Sequence, residues 1–216
     1  MRTKSFAILG LGKFGQSVAE TLHNMGHYVL VVDNCEESIN HISANITHAI
    51  LGDVTDEALI KSLDLKNFDA AIVAIGDNIQ SSILSTLLLK EAGVKYILAK
   101  AQNELHATVL KKIGANKVIL PEKDIGIRVA YSLVTPNVLD LIELSPEYSI
   151  VEMTVPENWA GKSLKDSKIR NKYGINIIAV KNGNSLIVAP SADYVIKNDD
   201  TLVIIGSNSD ISKIGK

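Results

Sequence analysis

Short apolar runs alternate with amphipathic stretches from Ser5 to about Val134. Residues 6–9 read as a strand and 16–25 as a helix; 28–32 is a second strand and 36–44 a polar helix. The pattern repeats with strand 46–51 and helix 56–63, then strand 70–75 and helix 78–92, which Gly93 stops. Strand 96–99, helix 104–113 ended by Gly114, strand 118–120 and helix 124–134 complete the series. The run Ala70-Ala71-Ile72-Val73-Ala74-Ile75 is apolar throughout, as a strand covered on both faces requires. Strands joined by helical crossovers predict an α/β fold, a right-handed, doubly wound parallel sheet.

The rhythm changes after Pro136. Residues 138–144 read as an amphipathic helical piece that Ser145-Pro146 breaks. Strands are expected at 149–155, 175–181, 185–189 and 201–205, with short helices over 162–173 and after Ser209. The Asn182-Gly183-Asn184 turn marks a hairpin, and strands in a row predict a small α+β unit. The expected division is 1–134 for the large domain, 135–145 for a linker helix and 146–216 for the small domain. About 70 residues is marginal for an isolated core, so the small domain is expected to dimerise or dock.

Candidate chemistry starts at Gly10-Leu11-Gly12-Lys13-Phe14-Gly15, a G-x-G-x-x-G turn between the first strand and the first helix. Gly10 permits the sharp turn, Gly12 lets a pyrophosphate approach the backbone, and Gly15 lets the helix pack on the sheet. The helix start offers free N–H groups and a positive dipole end, which suit an anion. Asp33, followed by Asn34, ends the second strand 18 residues after Gly15, where a carboxylate accepts ribose hydroxyls. The fold class is therefore a Rossmann-like doubly wound sheet followed by a small α+β domain, with an adenine nucleotide as the expected ligand. Lys13 is either a phosphate contact or a solvated charge. Asp53, before Val54, suits the adenine rim or the N-cap of the helix from Asp56. Ala74-Ile75-Gly76-Asp77 closes a strand on the ligand edge, where its backbone can line the pocket, and Lys100 ends another. Glu122 is a candidate Mg²⁺ or Ca²⁺ ligand beside the phosphates, or an acidic first-turn residue favoured by the helix dipole.

Composition then narrows the function. The 216 residues are 46% hydrophobic and 21% charged, with a formal net charge of −2, which argues against a nucleic-acid partner. The single cysteine, Cys35, excludes a disulfide framework and is expected to be a buried or strand-end thiol. No stretch reaches the roughly 20 apolar residues of a membrane span, and the N-terminal apolar run is too short for a signal peptide. A cytoplasmic location follows. The five histidines form no nucleophile or metal motif, and most of them are expected on the surface or on helix faces; Trp159 is expected in the core. An NAD-dependent oxidoreductase would need a proton-transfer residue from its second domain, and no histidine lies there. A scaffold merely stabilised by nucleotide is a further alternative.

The glycine loop and Asp33, with Gly52-Asp53-Val54-Thr55, Ile75-Gly76-Asp77-Asn78, Lys100-Ala101-Gln102-Asn103 and Pro121-Glu122-Lys123-Asp124, together resemble one family. It is that of the cytosolic regulatory subunits of Ktr/Trk-type potassium uptake systems, the RCK proteins, and the Ktr branch in particular. Lys172-Tyr173-Gly174-Ile175-Asn176-Ile177 extends the match into the small domain. The resemblance implies a non-enzymatic gating subunit, peripheral to the membrane through a potassium pore subunit. It implies dimers assembled into an octameric ring, with the helix over 138–144 as the bridge between neighbours. The implied ligand is ATP or ADP, with NAD(H) possible, bound by Gly10, Gly12, Gly15, Asp33, Asp53, Gly76 and Lys100, with Glu122 at a cation. The family pattern has arginine at position 13; lysine keeps the charge and loses the bidentate fork. The small domain of the family binds cyclic di-AMP as an inhibitor. By resemblance Ile169, Arg170, Asn176, Ile177 and Ile178 would hold it.

Overall fold

The computed structural model describes residues 2–134 and 137–214. Contacts divide the chain into two compact units, Met1–Glu122 and Lys123–Lys216.

The first unit alternates strands and helices: β1 (Ser5–Leu9), α1 (Lys13–Asn24), β2 (Tyr28–Asp33), α2 (Glu36–Ile42), β3 (His48–Leu51), α3 (Glu57–Ser62), β4 (Ala70–Val73), α4 (Ile79–Glu91), β5 (Ile97–Lys100), α5 (Glu104–Lys112) and β6 (Lys117–Ile119). The sheet order is β3-β2-β1-β4-β5-β6 and every pairing is parallel. Ala7 and Leu9 pack with Ala71, Val73, Leu89 and Leu110 on one face. Ile8 packs with Val31, Ile72, Ala19 and Ile42 on the other. Both faces of β1 are covered, which explains its continuous apolar run. Strand order reverses between β1 and β4, and there a crevice opens at the carboxyl ends. Leu9 stands opposite both Val32 and Val73. The ladder continues past the strand ends through Gly10 N–H to the Val32 carbonyl (2.9 Å), Gly52 N–H to that of Asp33 (2.9 Å) and Ala74 N–H to that of Leu9 (2.8 Å). Gly10, Asp33, Gly52 and Ala74 thus share one rim.

Helix α6 (Pro121–Val134) starts at the end of the first unit. The second unit adds β7 (Val138–Glu143), β8 (Tyr148–Thr154), α7 (Leu164–Ser167), α8 (Ile169–Tyr173), β9 (Asn176–Asn182), β10 (Ser185–Val188), β11 (Thr201–Ser207) and α9 (Asn208–Ile211). Its antiparallel sheet has the order β10-β9-β11-β8-β7. Burial alternates along β8 and β11, so Val151, Met153, Leu202 and Ile204 form one apolar face over Trp159, Ile175 and Ile196. Trp159 is in the core, as expected.

One expectation is corrected. Residues 138–144 are not a helix: 138–143 form β7, an edge strand of the second sheet. A register shift between Val138 and Asp140 leaves Val138 and Leu141 buried three positions apart, a spacing that imitates a helix. By contacts the chain divides at Glu122/Lys123, while the expected large domain runs to 134 and the linker to 145. Pro136 and the first two linker positions, 135 and 136, lie outside the described residues. Among the described residues, no helix is long and apolar enough to cross a membrane.

Candidate functional site

A cleft of about 260 Å³ opens at the β1/β4 switch point. The loop after β1 contributes Gly10 and Gly12, the end of β2 and the residue after it Asp33 and Asn34, the loop after β3 Asp53 and Val54, and the segment after β4 Ala74, Ile75 and Gly76. Nine of the expected site residues are brought together here. Asp77, the last residue of the segment expected on this edge, also lines it, as do Asn78 and Ser81, which sequence reasoning did not nominate. Asn78 caps α4 by accepting the Ser81 N–H at 3.0 Å. That N-cap pattern was the available signal.

The three loop glycines do different work. Gly10 has φ +101°, the left-handed region that a side chain disfavours. A Cβ on Gly15 would lie 2.1 Å from the Gly10 carbonyl oxygen, so contact between helix and loop demands glycine. A Cβ on Gly12 would meet nothing within 4 Å. Packing therefore gives no reason for glycine at position 12; the open space lies where a ligand backbone would approach. Gly12 is the N-cap of α1 without a side-chain cap, and the first turn carries no acidic residue. The N–H groups of that turn and the positive dipole end remain available to an anion.

Asp33 ties the rim together. Its Oδ2 accepts the Leu11 N–H of the glycine loop at 2.5 Å, and its Oδ1 accepts the Cys35 N–H at 2.8 Å. A carboxylate has about four acceptor positions, so both oxygens can still take ribose hydroxyls. Asp53 Oδ1 accepts the Thr55 hydroxyl (2.7 Å) and N–H (2.8 Å), and these bonds hold its carboxyl below the usual range. The capping alternative for Asp53 is overturned: Asp56 itself caps α3, accepting from Ala58 N–H and Leu59 N–H.

Lys13, Phe14, Gly15, Lys100 and Glu122 do not line the cleft. Lys13 is exposed and makes no ion pair among the described residues. Phe14 packs on the core below the loop. Lys100, with a side chain only 13% exposed, donates to Glu122 Oε1 at 2.5 Å, while Glu122 is 70% exposed. That bond is the main reason the Glu122 carboxyl lies below its ordinary range. No group of three or more His, Cys, Asp or Glu suited to a metal occurs among the described residues. Cys35 is exposed just beyond the strand end. His106 lies on the inner face of α5 and is buried at 3% exposure, since 106, 107 and 110 form the inner stripe of that helix.

In the second unit, Ile169, Arg170, Asn176 and Ile177 line a cavity of about 410 Å³ with Lys165 and Pro190 among others. Ile178 is on β9 but does not line it.

The TrkA-N domain family matches residues 6–121 and the TrkA-C domain family residues 150–216. The chain is 49% identical over 213 residues to the Ktr system potassium uptake protein C of Bacillus subtilis (strain 168), covering 99% of this chain and 96% of that protein. The chain belongs to the Ktr family of RCK regulatory subunits. A second Ktr relative, potassium uptake protein A of the same organism, is 46% identical over 213 residues, covering 99% and 96%. The GsuK RCK domain superposes with a TM-score of 0.72 at 22% identity, over 100% of this chain and 48% of that chain. The GsuK channel bound to NAD gives 0.69 at 21%, over 97% and 38%. Both share the RCK fold, and this Ktr family member spans about half or less of either.

Proposed function

We propose that the chain is the cytosolic nucleotide-sensing subunit of a Ktr potassium uptake system. ATP and ADP compete for the cleft at the β1/β4 switch point, and their different affinities for two arrangements of an oligomer bias a membrane-embedded pore subunit. The observation that carries this reading is the preformed rim: Asp33 holds the glycine loop through Leu11 N–H while the space at Gly12 stays open. Kinship over nearly the full chain to Ktr potassium uptake proteins supplies the pore partner, and with it a location at the cytoplasmic face of the membrane. The NAD-bound channel of the same fold supports a purine dinucleotide as an alternative occupant. Gating needs no covalent step. Ile125, Val129 and Leu133 of α6 are exposed at four-residue spacing, and this apolar stripe supports assembly of copies into dimers and an octameric ring. Glu122, already paired with Lys100, would meet a Mg²⁺ or Ca²⁺ ion only with phosphate oxygens completing the shell. Calorimetric titration of the purified chain with ATP, ADP and NADH tests the reading. Distinct affinities for ATP and ADP support it; equal affinities remove the sensing step.

A specific observation favours a second ligand in the second unit. Four of the five residues assigned to cyclic di-AMP by resemblance share one cavity, to which they bring a guanidinium, an amide and two of its three isoleucines. Those groups suit a phosphate, a base edge and base faces respectively. Binding of cyclic di-AMP that survives loss of the Asp33 carboxylate would separate this cavity from the nucleotide cleft.

A further inference from the structure

Gln102 and His106 lie outside the lining of the nucleotide cleft yet are bonded to it. The Gly76 carbonyl, on the cleft rim, accepts from the Gln102 side-chain amide. The Gln102 backbone N–H donates to His106 Nδ1 at 3.3 Å. His106 is itself anchored, because its backbone N–H donates at 2.9 Å to Asn103 Oδ1, the N-cap of α5. With Nδ1 accepting, the ring proton sits on Nε2. That buried nitrogen has no partner among the described residues. A leucine would fill the same space without an orphaned donor, so packing alone does not account for a histidine. Its acceptor nitrogen does.

The geometry points to His106 as a positioning residue for the nucleotide: it holds Gln102, whose amide fixes the Gly76 carbonyl and with it the turn from β4 to α4. That turn carries Asp77, Asn78 and Ser81 of the cleft. The inference rests on the nucleotide reading of that cleft. Nδ1 accepts only while the imidazole is neutral, since both nitrogens donate once it is charged. Burial pushes the His106 imidazole below its usual range. Elements packed on α5 carry Lys90 and Glu91 (α4) and Lys117 (β6), and α5 itself carries Glu104, Lys111 and Lys112. Asp77 and Lys100 flank the bonded segment. None of these charges contributes to the shift; burial is its sole cause. The link is therefore intact at neutral pH and opens only under acid.

The test is ADP binding by calorimetry on the full chain between about pH 5.5 and 8, with melting of the ligand-free protein alongside. His106→Leu should bind ADP about five- to tenfold more weakly while melting at the same or a higher temperature. Gln102→Ala, at an exposed position, should weaken binding similarly, and the double variant no further. His106→Asn can offer Oδ1 in place of Nδ1 and should restore wild-type affinity at pH 7.5. The ratio of wild-type to His106→Asn affinity should fall on acidification, the nucleotide's own titration cancelling in that ratio. Wild-type affinity in both His106→Leu and Gln102→Ala overturns the positioning role. A loss of affinity matched by an equal loss of ligand-free stability overturns it in favour of packing. If the wild-type chain binds neither ATP nor ADP, the reading of the cleft itself fails.

Discussion

The two cavities are built on different plans. The cleft of the first unit is mostly main chain: loop glycines, the ends of parallel strands, and Asp33 bonded to two backbone N–H groups. The cavity of the second unit is mostly side chain, with Arg170, Asn176 and Ile177 drawn from a short helix and from β9. A main-chain site cannot be altered without altering the fold, and its ligand must offer features every nucleotide shares. A side-chain site can be emptied one group at a time. The contrast yields unequal consequences for single substitutions.

The largest effect is expected at Gly15. A Cβ there would sit 2.1 Å from the Gly10 carbonyl oxygen and 3.1 Å from Ala74 Cβ, with main chain on one side and a core residue on the other. Gly15→Ala should cost about 3 kcal/mol or more, lowering the melting temperature and removing nucleotide binding with it. Gly12→Ala breaks the comparison open, because nothing lies within 4 Å of the new Cβ and φ is −61°. Its stability should stay within about 0.5 kcal/mol of wild type. ADP affinity should nevertheless fall about tenfold, ~1.4 kcal/mol, in calorimetry. Equal affinity would show that the pyrophosphate does not pass over Gly12.

These positions also show what could be read from the chain. The strand, turn, helix and terminal aspartate were legible because a tight strand-to-helix turn asks for glycine at fixed intervals, for φ at Gly10 and for helix packing at Gly15. Strand alternation told where the rim would lie, which placed Asp53 and Gly76 correctly. Lys100 and Glu122 were read as two ligand contacts; in the fold they meet each other. Such pairing between residues 22 apart has no sequence signature. β7 was misread for a definable reason, the bulge that sets Val138 and Leu141 three apart. The bond of His106 could not be read, because its partner is a backbone N–H rather than a second side chain.

Arg170→Ala sharpens the contrast from the other unit. Arg170 is exposed on α8 and makes no ion pair among the described residues. Its loss should leave stability within about 0.5 kcal/mol. Cyclic di-AMP binding should fall about tenfold or more, while ADP binding by the first unit stays at the wild-type value. If both ligands weaken together, the two cavities are not independent and the division into plans fails.

The smallest expected effect is acid sensitivity, and it too should separate the two sites. The Thr55 hydroxyl, then the Thr55 N–H, hold the Asp53 carboxyl below its ordinary range. A folded-state value below the unfolded one contributes stability that is fully present above the unfolded value, about 3.9, and is lost as pH falls through the folded value. Asp53 is exposed, so solvent screening limits the contribution to under about 1 kcal/mol. Thr55→Val removes the larger cause and keeps the N–H bond. Its deficit in melting temperature should be smaller in acid, at the lowest pH where the wild-type chain stays folded, than at pH 6, because protonating Asp53 weakens the bond that wild type alone makes. The cavity in the second unit is lined by no carboxylate, so a matched loss of side chain there, Arg170→Ala, should shift melting equally at both pH values. A Thr55→Val deficit that persists unchanged into acid would mean that the threonine serves packing of the β3 loop rather than the charge on Asp53.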